Sequence, residues 1–187
     1  TDVGDRGTTV TVRLPRVTTD ATRQPNRADL TGVRPAAPHL AVTCLAAIAA
    51  GVPYGIASEL LGGSIAGIGV FYGTVGPVVG WLTHEFHSVV FGFMYVGLLS
   101  LALDRFRNTA GVYALTGLAW GTAVWVVAAG FVAPVWLQLV GVPATVPNLS
   151  VRLLVSHLAW GGSLAALTFL GYRYITPRLA GLGQRLS

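Results

Sequence analysis

Four long apolar segments restrict this chain to one broad class of fold. They cover residues 38–57, 78–103, 112–140 and 151–175. A helix needs about 20 apolar residues to cross the roughly 30 Å hydrocarbon core of a bilayer. Because lipid offers no hydrogen-bond partners to an open backbone, segments of this kind must be helical. The sequence therefore predicts an all-α membrane protein with four transmembrane helices that follow a polar N-terminal tail.

Composition agrees with this class and disfavours others. Charged residues make up only 10% of the 187-residue chain, whereas soluble domains carry about 25%. The lipid bilayer is therefore the expected partner. The net charge is +5, but the arginines are scattered rather than gathered with aromatic residues, so we expect no nucleic-acid partner. The single cysteine, Cys44, leaves no basis for an internal disulfide or a cysteine-based metal site.

The distribution of arginine predicts the orientation in the cell membrane. Eight arginines flank one set of helix ends, and Arg152 lies near the other set; the eight are Arg23, Arg27, Arg34, Arg105, Arg107, Arg173, Arg178 and Arg185. Basic residues collect on the cytoplasmic side of membrane proteins. The sequence therefore predicts a multi-pass protein with both termini in the cytoplasm.

We divide the chain into three parts on the same evidence. Residues 1–37 are predicted to form a polar, largely disordered tail or linker, 38–176 a four-helix transmembrane domain, and 177–187 a cytoplasmic C-terminal tail. Between the first two spans, residues 65–72 are apolar enough for a short interfacial helix. Because the chain begins at Thr1 and shows no signal-peptide pattern there, we expect a fragment or a processed product.

A weak internal repeat suggests two duplicated helix hairpins. Gly51 and Gly55 in the first span match Gly117 and Gly121 in the third, each pair with an aromatic residue just before its second glycine. In the second and fourth spans a histidine, His87 or His157, precedes a glycine by five residues. Gly-x-x-x-Gly faces allow close helix packing, which makes a helix–helix oligomer a further expectation.

Three histidines within the spans are the candidate site residues. His84 and His87 are three residues apart and share a helix face, and His157 lies at a similar depth in the fourth span. Ionisable groups at membrane depth are costly and are often functional. We identify His84, His87 and His157 as candidate cofactor-binding residues, and His87 with His157 as a candidate pair of metal ligands that approach each other.

These residues leave three interpretations open. The histidines can make structural hydrogen bonds between helices, ligate a transition metal or haem, or line a proton or solute pathway. No complete catalytic motif is present in the chain. We therefore expect a non-enzymatic sensory or binding module, with a haem- or metal-binding protein and a small transporter or proton-conducting protein as alternatives.

Two stretches resemble known families. Residues 7–15, Gly-Thr-Thr-Val-Thr-Val-Arg-Leu-Pro, resemble the last strand of the ATPase domain of sensor histidine kinases, although that family's phosphoacceptor histidine and nucleotide boxes have no counterpart here. The rest resembles uncharacterised four-helix membrane proteins of haloarchaea, some of them labelled histidine kinases. That resemblance rests on the pattern from Gly80 to Gly92 around His84 and His87, on 127–137, and on 147–149 ahead of His157. It implies an archaeal membrane protein in which His84, His87 and His157 matter together, and it implies no known activity. The labels and the kinase-like strand together suggest an association with a histidine-kinase signalling system.

Overall fold

The computed structural model describes residues 37–102 and 109–186. Within those ranges the regular structure is helical and contains no strand. The α-helices are α1 (Ala37–Leu60), α2 (Pro77–Ala102), α3 (Ala110–Val124), α4 (Ala133–Leu139), α5 (Val151–Leu170) and α6 (Thr176–Leu186). A 3₁₀ helix, Ala66–Tyr72, lies between α1 and α2. π-helical segments, Trp125–Val132 and Gly171–Ile175, join α3 to α4 and α5 to α6.

Three helical stretches are each long and apolar enough to cross a membrane. They are Ala37–Leu60, Ala110–Leu139 and Val151–Leu182. The second predicted span differs from these, because its helix meets the same test only together with the 3₁₀ helix, from which it bends by 73°. The polar residues His84, Glu85 and His87 reduce the apolar character of α2. Over the residues that the structure describes, the fold is thus all-helical, with three helical stretches long and apolar enough to span a membrane, or up to four if the bent pair counts as one span.

Helix α5 is the centre of the bundle. It packs along both α1 and α3, and α2 packs along α1, while α2 and α3 approach each other much less closely. Long side chains bridge that last gap: the Trp120 indole donates a hydrogen bond to the Phe91 carbonyl oxygen at 3.1 Å, and the Tyr95 hydroxyl donates to the Tyr113 carbonyl oxygen at 3.2 Å. The space between α2 and α3 is therefore wider than the α1–α2, α1–α5 and α3–α5 seams.

Pro134 shapes the end of the third span. Proline has no backbone N–H and cannot bond to the carbonyl four residues before it, which here belongs to Gly130. The Asn148 backbone N–H bonds to the Gly130 oxygen instead, at 2.8 Å. This bond ties the 140–150 connection to the π-helical segment at the point where the regular helical pattern is interrupted.

The segments predicted outside the spans have three different outcomes. The short helix expected at 65–72 is present as the 3₁₀ helix Ala66–Tyr72. The segment predicted as a C-terminal tail is helical, because α6 extends to Leu186. The predicted N-terminal tail falls almost wholly on residues 1–36, outside the described part of the chain.

Candidate functional site

A cavity of about 700 Å³ lies between the helices at the end of the bundle where 61–76 and 140–150 connect them. We call this the capped end. The lining comes from α1, α2, the α3–α4 stretch and α5, and it includes all three candidate histidines. Most of the other lining residues are apolar or aromatic, among them Tyr54, Phe71, Phe91, Val132, Leu137 and Trp160. This size and lining are typical of small-molecule sites, which run from about 300 to 1,000 Å³.

His84 is fixed by a bond between helices. Its Nε2 lies 3.0 Å from the backbone oxygen of Gly51 on α1, and the side chain is 7% exposed. The imidazole also stacks on the Tyr54 ring, with ring centres 4.4 Å apart and planes 28° apart. The glycine leaves room for α2 on this face of α1, because the Glu85 carboxylate lies where a side chain on Gly51 would begin.

His157 approaches the same tyrosine from α5. Its ring meets Tyr54 edge-on, with centres 5.0 Å apart and planes at 86°. Its Nδ1 lies 2.7 Å from the Leu153 carbonyl oxygen, one turn earlier in the same helix. Tyr54 is therefore a shared neighbour of two candidate histidines, and we call His84, Tyr54 and His157 the aromatic triad.

His87 lies apart from the triad, towards the outside of the bundle. It is half-buried, and its Nε2 lies 3.3 Å from the hydroxyl of Tyr72 in the 3₁₀ helix. Aromatic rings surround it, including Phe86 and Phe91. The structure places His87 on the cavity wall with His84 and His157, but the rings that share a neighbour are those of His84 and His157. The predicted approach of His87 to His157 stays a prediction.

A three-helix hydrogen-bond relay lies next to the triad. The Trp160 indole donates to Ser88 Oγ at 2.7 Å, and that hydroxyl donates to the Ala47 carbonyl oxygen at 2.6 Å. The relay joins α5, α2 and α1 through side chains that are 3% and 2% exposed. Sequence reasoning missed Trp160 and Tyr54 as site residues. The spacing of Tyr54 from Gly51 is a signal that both residues share one face of α1.

Four helices each send one side chain to the segment that covers the cavity. The carboxylate of Glu59, in the last turn of α1, accepts the Ile65 N–H at 2.6 Å. His87 bonds to Tyr72, the Trp136 indole donates to the Phe71 oxygen at 2.9 Å, and Arg152 donates to the Gly62 oxygen at 2.9 Å. We call residues 61–76 the cover. Side chains from α1, α2, α4 and α5 hold it in place.

Glu85 occupies a different seam from the cavity. Its carboxylate lies against Gly51, where a methyl group would collide with it, and its Oε2 is buried without a hydrogen-bond partner. Helix geometry places Glu85 about 100° around α2 from His84. Gly51 thus contacts two consecutive side chains of α2. Its carbonyl oxygen bonds to His84, and its Cα lies against the carboxylate of Glu85.

The histidines are the residues that could hold a cofactor. In the described ranges, no group of three or more His, Cys, Asp and Glu side chains is arranged to hold a metal ion. A metal held by His87 and His157 alone, or a haem held by two histidines, stays a prediction. The observed arrangement can accept hydrogen bonds from, and pack rings against, an apolar molecule inside the cavity.

No family model, curated protein or solved structure matches the chain.

Proposed function

We propose that this chain is an integral membrane protein that works as a non-enzymatic sensory or binding module, and that its cavity takes up a small lipophilic molecule. The observation that supports the proposal is the cavity itself. It is walled by four helical stretches and includes three imidazoles in an apolar, aromatic lining. Protein sites for small molecules combine these features, with few polar groups that fix the orientation of the ligand.

The proposed topology has four spans, with the 3₁₀ helix and α2 as one broken span and both termini in the cytoplasm. The capped end then faces outward, as the arginine asymmetry predicts. In a Cys44→Ala background, a membrane-impermeant maleimide added to intact cells is expected to label Thr145→Cys and to spare Asn108→Cys. The opposite labelling pattern would overturn the orientation.

We further propose that occupancy of the cavity is passed to a histidine-kinase system. Two features support this. Residues 7–15 have the pattern of a kinase ATPase strand. The helical stretch Val151–Leu182 contains His157 on the cavity wall and extends well past it towards the opposite end of the bundle. A helical stretch of this length can carry a small displacement of its cavity end to the other side of the membrane.

Saturable binding of 1-naphthol to the chain in lipid nanodiscs tests the binding function. Ala129 lines the cavity, so Ala129→Phe fills it, whereas Ala119→Phe adds the same ring at an exposed position of α3. We expect one saturable site per chain in the wild type and in Ala119→Phe, and loss of that site in Ala129→Phe. Equal binding by all three proteins would show that the cavity is not the site.

One observation favours haem or transition-metal binding as a second candidate. His84 and His157 each place one ring nitrogen against a backbone carbonyl, which is how metal-ligating histidines are commonly oriented. The absorption spectrum and metal content of protein purified from its native membrane distinguish the two functions. A Soret band or a stoichiometric metal selects the second candidate, and a metal-free, colourless protein selects the first.

A further inference from the structure

We propose that the ligand of the cavity is an apolar alcohol or phenol, whose hydroxyl group donates a hydrogen bond to His84 Nδ1 or His157 Nε2. This inference rests on the proposed binding function and specifies its ligand class. It follows from which nitrogen of each imidazole carries the proton.

The backbone fixes the proton of His157 on one nitrogen. Its Nδ1 lies 2.7 Å from the Leu153 carbonyl oxygen. A carbonyl oxygen can only accept a hydrogen bond, so Nδ1 must carry the hydrogen that is donated. In a neutral imidazole the other nitrogen then has a lone pair and no proton. His157 Nε2 is therefore a hydrogen-bond acceptor.

His84 carries its proton on the other ring nitrogen. Its Nε2 lies 3.0 Å from the Gly51 carbonyl oxygen, so Nε2 carries the proton and Nδ1 is the acceptor. The two imidazoles that contact Tyr54 are thus opposite tautomers. Each offers one lone pair.

Both acceptor nitrogens can be reached from the cavity. In the described part of the chain, the buried side-chain nitrogen and oxygen atoms without a partner are His39 Nδ1, Glu85 Oε2 and Thr168 Oγ1. The acceptor nitrogens of His84 and His157 are not among them, and the bonds found for these two rings involve the other nitrogen of each. Both residues line the cavity, which puts their rings within reach of a molecule bound there.

Two of the polar groups near these acceptors, Ser88 and Trp160, already use their protons. Ser88 gives its proton to the Ala47 oxygen, and the Trp160 N–H is donated to Ser88. A ligand at the triad therefore gains by bringing its own donor. Much of the remaining lining is apolar, including Phe71, Phe91 and Leu137, and favours an apolar ring. Arg152 also lines the cavity, and its guanidinium donates to the Gly62 oxygen.

Nitrogen-15 NMR of histidine-labelled protein in nanodiscs tests the tautomers directly, since protonated and bare imidazole nitrogens resonate far apart. The variants His84→Phe and His157→Phe assign the signals. We expect His157 to carry its proton on Nδ1 and His84 on Nε2, and 1-naphthol to shift the bare nitrogen of at least one of them. The same tautomer in both rings would overturn the proposal.

Competition between 1-naphthol and 1-methoxynaphthalene tests the ligand class on the same protein. The methoxy compound keeps the ring but has no proton to donate. A net hydrogen bond predicts that the wild type prefers 1-naphthol by roughly two- to tenfold. This preference should fall in His84→Phe or His157→Phe and persist in His39→Phe, since His39 packs on Tyr172 rather than on the cavity wall.

The failure of this inference is distinguishable from failure of the proposed function. If both compounds bind the wild type saturably and equally, the cavity is a binding site but the alcohol or phenol class is wrong. If neither compound binds, both proposals fail.

Discussion

The two helix hairpins, α1 with α2 and the α3–α4 stretch with α5, have glycines at the same spacing. Different groups of the partner helix pack against those glycines. In the first hairpin, Gly51 faces the Glu85 carboxylate and Gly55 faces the Trp81 ring. In the second, Gly117 and Gly121 face backbone oxygen atoms of α5. Glycine therefore admits side chains into one seam and brings two backbones together in the other.

The difference in packing at the glycines explains why the cavity lies beside α2. Small residues permit close helix approach in membranes, where packing rather than the hydrophobic effect drives association. The α3–α5 seam uses that approach fully, and it leaves no room for a methyl group on Gly161. The α1–α2 seam instead depends on long side chains and polar bonds. Helix α2 is also less closely packed against α3, and the cavity lies beside it.

The largest expected effect is in the backbone-to-backbone seam. Gly161→Ala places a methyl group against the Gly117 carbonyl oxygen, which cannot rotate away. Overpacking a rigid site should reduce the free energy of unfolding by about 3 kcal/mol. Gly162→Ala is the matched control, because its methyl group meets Leu118 at an ordinary 3.6 Å. Thermal unfolding in micelles that finds the two variants equally stable would contradict the close packing of α3 on α5.

The relay at Ser88 should give the next largest effect. Ser88→Ala leaves the buried Trp160 N–H without its acceptor and the Ala47 oxygen without a donor side chain. We expect a loss of about 1–2 kcal/mol, in line with interhelical hydrogen bonds in membranes and the cost of unpaired buried groups. Thr122→Val is the control, since the Thr122 hydroxyl bonds within its own helix, to Leu118, and its loss should cost less than about 0.5 kcal/mol. Equal losses of unfolding free energy in both variants would show that the relay at Ser88 does not stabilise the bundle.

A third substitution compares the two seams directly. Gly51→Ala also meets atoms at close range, but these belong to the end of the Glu85 side chain, which can swing aside. The loss of unfolding free energy should therefore be about 1 kcal/mol, at the low end for overpacking and well below that of Gly161→Ala. A loss as large as that of Gly161→Ala would show that the α1–α2 seam is as rigid as the α3–α5 seam.

The smallest effect on stability is expected at the cover. Trp136→Phe removes the indole bond to the Phe71 oxygen and should change the unfolding free energy by less than about 0.5 kcal/mol. In a Cys44→Ala background, maleimide labelling of Ala129→Cys in the cavity should nevertheless become several times faster. The control is Trp125→Phe, which loses a similar bond to the other connection, at Ser150. An unchanged labelling rate in Trp136→Phe would mean that this bond does not hold the cover.

The sequence predicts the helices better than it predicts the site. Apolar runs end where polar or glycine-rich segments begin, so α1 and α5 begin within a residue of the expected positions. The 73° bend between the 3₁₀ helix and α2 was not foreseen, because the apolar residues of the predicted second span form a continuous run while the bend depends on the connection before Pro77. The duplication of the hairpins stays a prediction, although both glycine pairs face the second helix of their own hairpin.

The partners of the histidines could not be derived from depth alone. The sequence predicts similar heights for His84, His87 and His157, but contact also requires the rotation of each helix about its axis. That rotation is set by packing at Gly51 and Gly121, which turns His84 towards Tyr54 and leaves His87 near Tyr72. Tyr54 joins two histidines by ring contacts that have no spacing signature in the sequence.

Anomalous X-ray diffraction from crystals of the wild-type protein grown with 4-bromo-1-naphthol tests the central claim most directly, because it locates one atom of the ligand. We expect a single strong bromine peak in the cavity beside the aromatic triad. The naphthol oxygen should lie within hydrogen-bond distance of His84 Nδ1 or His157 Nε2. A bromine peak confined to the lipid-facing surface, or an empty cavity in crystals saturated with the probe, would contradict it.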